Sequence, residues 1–171
     1  MKNKVLWLTG LSGTGKTTLA KLLKKKLNKF KFKVKIVDGD DFRKKSKNNN
    51  SFTRKNIYQN NLSVINFVNK KRKNFDYVIV AVISPLLKSR LRAKKMFGPS
   101  YNEILVKCSL KGLIKRDTKN LYKMAKEKKI KNLIGYNSNI NYEKSKYKKI
   151  IIDTEKYNKS NSIKKILMQI Q

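Results

Sequence analysis

The sequence predicts an α/β fold, a parallel sheet of about five strands with helices on both faces, and three observations carry that expectation. Short apolar runs alternate with longer amphipathic stretches along the whole chain, giving the order βαβαβαβαβα. The run Tyr77-Val78-Ile79-Val80-Ala81-Val82 is apolar almost throughout, as a central parallel strand buried on both faces must be. Between the strand-like Val5-Leu6-Trp7-Leu8 and the helix-like Thr18-Leu19-Ala20-Lys21-Leu22-Leu23 stands Gly10-Leu11-Ser12-Gly13-Thr14-Gly15-Lys16-Thr17. It fills every fixed place of the phosphate-binding loop G-x-x-x-x-G-K-[ST], in the strand–turn–helix setting the loop requires.

The loop defines the first chemistry. Gly10, Gly13 and Gly15 let the backbone curl so that successive N–H groups, with those of Ser12, Thr14 and Thr18, face a phosphate at a helix N-terminus. Lys16 would reach the β and γ phosphates and the Thr17 hydroxyl would ligate Mg²⁺, so the cofactors implied are ATP and Mg²⁺. The helix behind the loop is expected to run to about Asn28, with Lys24, Lys25 and Lys26 where the helix dipole favours cations.

A second strand is expected at Lys33–Val37, ending in the turn signal Asp38-Gly39-Asp40. Ligands sit at the C-terminal edge of open α/β sheets, so Asp38 and Asp40 are candidates for metal handling and proton abstraction, or simply for an Asx turn. Arg43 follows, then a polar loop from Lys44 to Ser51 and the isolated aromatic Phe52. Ile57, Leu62, Ile65 and Val68 support a helix over about Thr53–Lys71, capped by Thr53 or Ser51. The third strand ends at Ile83-Ser84-Pro85, again on the ligand edge, and a short basic helix with Arg90 and Arg92 covers about Leu86–Lys95. Strand four is Glu103–Cys108, and a helix begins at Ser109. Asp117 to Tyr147 is polar and rich in Lys, Asn and Tyr; so long a segment in a compact domain reads as a lid or binding loop. Strand five at Lys149–Ile152 and a helix over about Ser160–Ile170 complete one expected domain.

Composition narrows the classes. No apolar run suits a membrane span or a secretory signal, which predicts a cytoplasmic protein without a membrane partner. The single cysteine, Cys108, has no disulfide partner and reads as core packing. The net charge of +34 suits an anionic ligand, and would also suit a non-catalytic nucleotide- or RNA-binding protein. Only six of the 44 basic residues are arginine, however, and no module interleaves them with aromatics, so nucleic acid is not the expected partner. There is no histidine, which removes every His-based triad and leaves carboxylates as general bases.

Taken in order, Gly10–Thr18, Asp38-Gly39-Asp40 with Arg43, Ile83-Ser84-Pro85, and Arg116-Asp117-Thr118-Lys119-Asn120-Leu121-Tyr122 resemble the motifs of the adenylylsulfate (APS) kinase family of P-loop kinases, over Val5 to about Asp153. The resemblance implies transfer of the γ-phosphate of ATP to the 3′-hydroxyl of APS, a nucleotide acceptor. It implies that Asp40 orients that hydroxyl or takes its proton, with Asp38 beside it near the metal. It assigns Arg43, Phe52, Asn60, Ile83 and Ser84 to the acceptor, Phe52 by stacking on its base, with help from Arg90. It places Arg116 and Lys119 in a lid at about residues 116–147, Arg116 on the nucleotide and Lys119 on the phosphoryl group in flight. Family members are often dimers, which allows a homodimer here.

The sequence departs from the family in three places. Ile57 stands where an arginine is common, with Arg54 near enough to substitute; Asn120 replaces a lid glycine; and Leu133 replaces an aromatic that would form the second wall of a base clamp. Loss of one stacking face removes about 1–3 kcal/mol of base affinity. The departures at Ile57 and Leu133 motivate a second acceptor within the same family, cytidine diphosphoramidate, whose smaller pyrimidine needs less of a clamp.

Overall fold

The computed structural model describes residues 3–44 and 52–170; the polar segment 45–51 lies outside the described residues. Five strands, β1 (Lys4–Thr9), β2 (Val34–Asp38), β3 (Tyr77–Ala81), β4 (Tyr101–Lys107) and β5 (Ile150–Asp153), form one sheet in the order β2-β3-β1-β4-β5. Every pairing is parallel, and Leu8 lies between Ala81 on β3 and Ile104 on β4. The helices are α1 (Lys16–Lys29), α2 (Gly39–Lys44), α3 (Arg54–Lys71), α4 (Leu87–Phe97), α5 (Leu110–Arg116), α6 (Leu121–Lys126) and α7 (Lys159–Gln169).

The unbroken apolar character of β1 has a direct cause. Leu6 and Leu8 pack into one core with Leu19 and Leu23 of α1 and Ile163 and Ile166 of α7. Val5 and Trp7 point the other way, into a second core with Val64, Ile65 and Val68 of α3 and Ala93 and Phe97 of α4. A strand sandwiched between two cores has no polar face, because successive side chains alternate between them.

Strand order also sets the ligand edge. From β1 the chain crosses to β2 on one side, whereas from β3 it crosses to β4 on the other. The crevice beyond the C-terminal ends of β1 and β3 is therefore a topological switch point, where ligands of open α/β sheets bind. Thr53 caps α3 by accepting the Asn56 N–H at 3.2 Å, one of the two caps expected. The expected turn at Asp38–Asp40 is the start of α2, and an Asp38 carboxylate oxygen accepts the Asp40 N–H at 2.9 Å. The polar segment after Arg116 carries a short helix, α6, whose first N–H groups bond to Asp117. Asn120 adopts φ 54°, the left-handed conformation that asparagine tolerates and that replaces the lid glycine. Cys108 is partly buried against Leu113 and Tyr122, where burial pushes its thiol up.

Two loop glycines make a testable contrast. A Cβ at Gly10 (φ 137°) would lie 2.1 Å from the Val106 carbonyl oxygen, while one at Gly15 (φ 95°) meets nothing within 4 Å. Gly15→Ala should cost about 1–2 kcal/mol of stability from backbone conformation alone. Gly10→Ala should cost more than about 3 kcal/mol, because two backbones would have to separate. Urea midpoints for the two variants check the order; equal losses would contradict the close approach.

Candidate active site

A cavity of about 800 Å³ opens at this edge, its floor formed by the phosphate loop from Ser12 to Thr18. Asp38, Asp40 and Arg43 line one side, with Asn60 and Asn61 of α3 and Ile83-Ser84-Pro85 after β3. Arg116 and Lys119 close it from above. The cavity therefore brings together all the candidate residues except Gly10, Phe52 and Arg90. Gly10 sits behind the loop, its N–H donating to the Ile83 carbonyl at 3.3 Å. Phe52 is partly exposed and lies under the Arg43 guanidinium, 4.8 Å from ring centroid to Cζ, outside the cavity lining.

The loop has the shape its glycines permit. Gly13 and Gly15 take φ 79° and 95°, and the Lys16 ammonium arches back to donate to the Gly10 and Leu11 carbonyls at 2.9 and 2.7 Å. Burial pulls the Lys16 ammonium down from 10.5 to about 8, with Lys119 pushing the same way and Asp40 and Asp38 opposing. The Thr17 hydroxyl donates to an Asp38 carboxylate oxygen at 2.7 Å. A hydroxyl and a carboxylate side by side are a fit donor set for Mg²⁺, which takes one or two protein oxygens and fills its remaining positions with water and substrate phosphate.

Across from that pair, the Lys119 ammonium donates to Asp40 at 2.6 Å, bridging the segment after α5 to α2. Partial burial pushes the Asp40 carboxyl up, but the hydrogen bond and charge of Lys119, with Lys16 and Arg43, outweigh it and hold the group below its ordinary value. Asp40 is thus an anion ringed by three cations. Arg116 donates to the Thr154 hydroxyl and carbonyl at 2.9 and 2.6 Å, fixing its guanidinium at the rim.

Several features of the site were not anticipated. The wall opposite the loop is apolar, formed by Ile57 and Ile134, both buried with Leu86 and Ile140. Leu133 is turned away, buried with Leu113, Tyr122 and Ala125, so the departure there does not alter the cavity wall. Arg54 does not substitute in the cavity; it pairs with Glu143 at 2.5 Å. Thr154, Tyr157 and Asn158 after β5 line the end of the cavity beyond Arg116. They follow the C-terminal end of a parallel strand, the rule that singled out Asp38 and Ile83. Arg92 is exposed, whereas Arg90 is wholly buried and absent from the cavity lining.

With this geometry in place, comparison with known proteins is decisive. The family model for adenylylsulphate kinase matches residues 2–153. The chain belongs to that family. It is 36% identical over 152 residues to a probable adenylyl-sulfate kinase of Archaeoglobus fulgidus, covering 89% of this chain and 96% of that one. An adenylyl-sulfate kinase of Clostridium acetobutylicum is 34% identical across 97% of this chain and 82% of its own. The fold superposes on the Mycobacterium tuberculosis APS kinase CysC, solved with AMPPNP and APS, with a TM-score of 0.85 at 22% identity, covering 98% of this chain and 96% of that one. An adenylylsulphate kinase is a phosphotransferase with a hydroxyl acceptor that uses ATP. Among the described residues, no helix is long and apolar enough to cross a membrane.

The Lys16 environment sets a pH dependence. The cation pairs with phosphate, and a lysine whose folded pKa is lowered to about 8 loses that cation as pH rises through it. ATP affinity of the free protein should therefore fall above about pH 8, by up to about tenfold per unit, and stay level below about pH 7. Titration calorimetry checks this, with Lys16→Ala expected to bind weakly and to lose the dependence. A wild-type Kd that is flat to pH 10 would contradict the burial argument.

Proposed function

We propose that the chain is an APS kinase acting as one P-loop kinase domain, with a lid at about residues 116–147, transferring the γ-phosphate of ATP to the 3′-hydroxyl of APS. One observation carries the reading: a single cavity joins the phosphate loop to an ionised Asp40 that is hydrogen-bonded to Lys119. The family membership and the names of the relatives at 34–36% identity point to the same acceptor.

The residues divide the work by charge. Loop N–H groups and Lys16 hold the β and γ phosphates, and Arg116, braced on Thr154, lies over the nucleotide beside Tyr157 and Asn158. Thr17 and Asp38 would hold Mg²⁺, which would supply charge neutralisation to the phosphates. Asp40 accepts a hydrogen bond from the acceptor hydroxyl and aims its lone pair in line with the γ-phosphate. Its lowered pKa makes it an orienting anion first and a proton acceptor as the bond forms. Lys119 sits where it can leave Asp40 for the equatorial oxygens of the phosphoryl group as charge spreads onto them. Arg43, Asn60, Ile83 and Ser84 supply the acceptor side, and Ile57 with Ile134 gives the acceptor an apolar wall. Phe52 supports Arg43 from outside the cavity.

A coupled ADP-release assay with Mg-ATP tests the function, comparing APS with cytidine diphosphoramidate. APS should be preferred in kcat/KM by at least about a hundredfold, about 2.7 kcal/mol; turnover confined to the cytidine compound would reassign the acceptor. Asp40→Asn should lower kcat by about 10²–10⁴ with the ATP KM nearly unchanged. Near-normal kcat in that variant would remove Asp40 from its assigned role.

A further inference from the structure

Arg90 is the largest charged side chain fully inside the protein, and it belongs to no core of ordinary make-up. One terminal nitrogen donates to the Ser84 carbonyl at 2.5 Å and to the Pro85 carbonyl at 3.1 Å. The other donates to the Glu143 carbonyl, and the guanidinium lies over the Tyr142 ring, 4.6 Å from its centroid. Its charge is balanced by Glu103 at 3.4 Å, which is also buried and accepts hydrogen bonds from Ser145, Tyr101 and Tyr147. One cation thus ties the end of β3 to segment 142–147, through β4.

The segment it grips is strained. Ser84 has φ 44°, a left-handed conformation that a non-glycine residue keeps only when its surroundings impose it. Its hydroxyl is buried and has no hydrogen-bond partner among the described residues, and Ser84 itself is one of the residues that line the cavity. A buried hydroxyl left without a partner is uncommon in a folded protein, and together with the left-handed backbone it marks Ser84 as a residue whose conformation its surroundings set. Arg90 donates to the carbonyl of that same residue, so the left-handed backbone is tied directly to the buried cation.

The opposite side of the grip is equally built. The Glu143 N–H donates to the Pro85 carbonyl at 2.9 Å, and its carboxylate accepts the Leu87 N–H at 2.6 Å while pairing with Arg54 of α3. The Tyr142 hydroxyl is 3.1 Å from that of Thr9, which itself donates to the Ile83 carbonyl at 2.6 Å. Residues 83–85 are therefore held from β1, α4 and segment 142–147 at once, with Arg90 at the centre.

We propose that Arg90 is a positioning residue for the acceptor, holding Ser84 in its left-handed conformation so that the main chain of residues 83–85 meets the acceptor, and locking that wall to segment 142–147. The inference rests on the functional reading above. Arg90 does not touch the acceptor, and the nucleotide half of the cavity does not depend on it.

The test is a split between the two Michaelis constants. Arg90→Lys keeps the charge opposite Glu103 but cannot span the Ser84, Pro85 and Glu143 carbonyls together. The double variant Arg90→Gln/Glu103→Gln removes both charges and leaves no unpaired ion inside. Each should raise the acceptor KM at least tenfold while the ATP KM stays within twofold, with Arg90→Lys the milder. A lowered Tm with both constants unchanged, a parallel rise in both, or failure of the double variant to fold would overturn the proposal in favour of a purely structural ion pair. If the wild type does not turn over APS, the functional reading fails separately, and the same split is read with cytidine diphosphoramidate.

Discussion

The site depends on how the chain leaves β1. Gly10 passes so close to the Val106 carbonyl that no side chain fits, and its N–H bonds to the Ile83 carbonyl across the switch point. That one residue joins the phosphate loop to the cavity wall formed by residues 83–85. On the proposed assignment, two substrates that must meet in line lie on pieces of backbone tied to each other, so their relative geometry follows from the sheet. Phosphoryl transfer asks mainly for positioning and charge, and a rigid seam between the two binding surfaces supplies the first.

Charge is supplied by a different kind of structure. Thr17 with Asp38 and Lys119 with Asp40 are two polar pairs facing each other over the loop, the first joining α1 to β2 and the second joining α2 to the segment after α5. The Lys119–Asp40 pair is half-exposed and contributes little to stability, as solvent-screened pairs generally do. It places an exposed cation beside the phosphate loop and holds the Asp40 carboxyl below its ordinary value against the burial that would raise it. Lys16 lies at the other extreme, sealed into the loop where burial weakens its hold on the proton.

Much of this was legible in the sequence because it is local. The loop, the strand that precedes it and the helix that follows lie within about twenty residues, and Asp38, Asp40, Ile83 and Ser84 all mark strand ends on one edge. What was not legible arises from contacts between distant segments. Arg90 looks like one more cation on a basic helix until Glu103, on the next strand, draws it inside. Leu133 and Ile134 differ by one place, and only the packing of Leu133 under Tyr122 decides that Ile134 is the one on the wall. Phe52, isolated in a polar stretch, was assigned to a base by the family pattern, yet Arg43 occupies its face. The strain at Ser84 has no sequence signal, since serine is not a residue that announces a left-handed turn.

Burial sorts the cations in a way their abundance conceals. Of the 44 lysines and arginines in the sequence, Lys16 and Arg90 are the two that are buried among the described residues. The other described cations are partly or wholly exposed, and away from the cavity one such lysine can be exchanged for another polar residue at almost no energetic cost. Mutational bias in the gene can therefore rewrite the exterior for generations without reaching the chemistry. Exchange is constrained at the two buried cations and at Arg43, Arg116 and Lys119 on the cavity, and lax at lysines that touch neither the core nor the cavity.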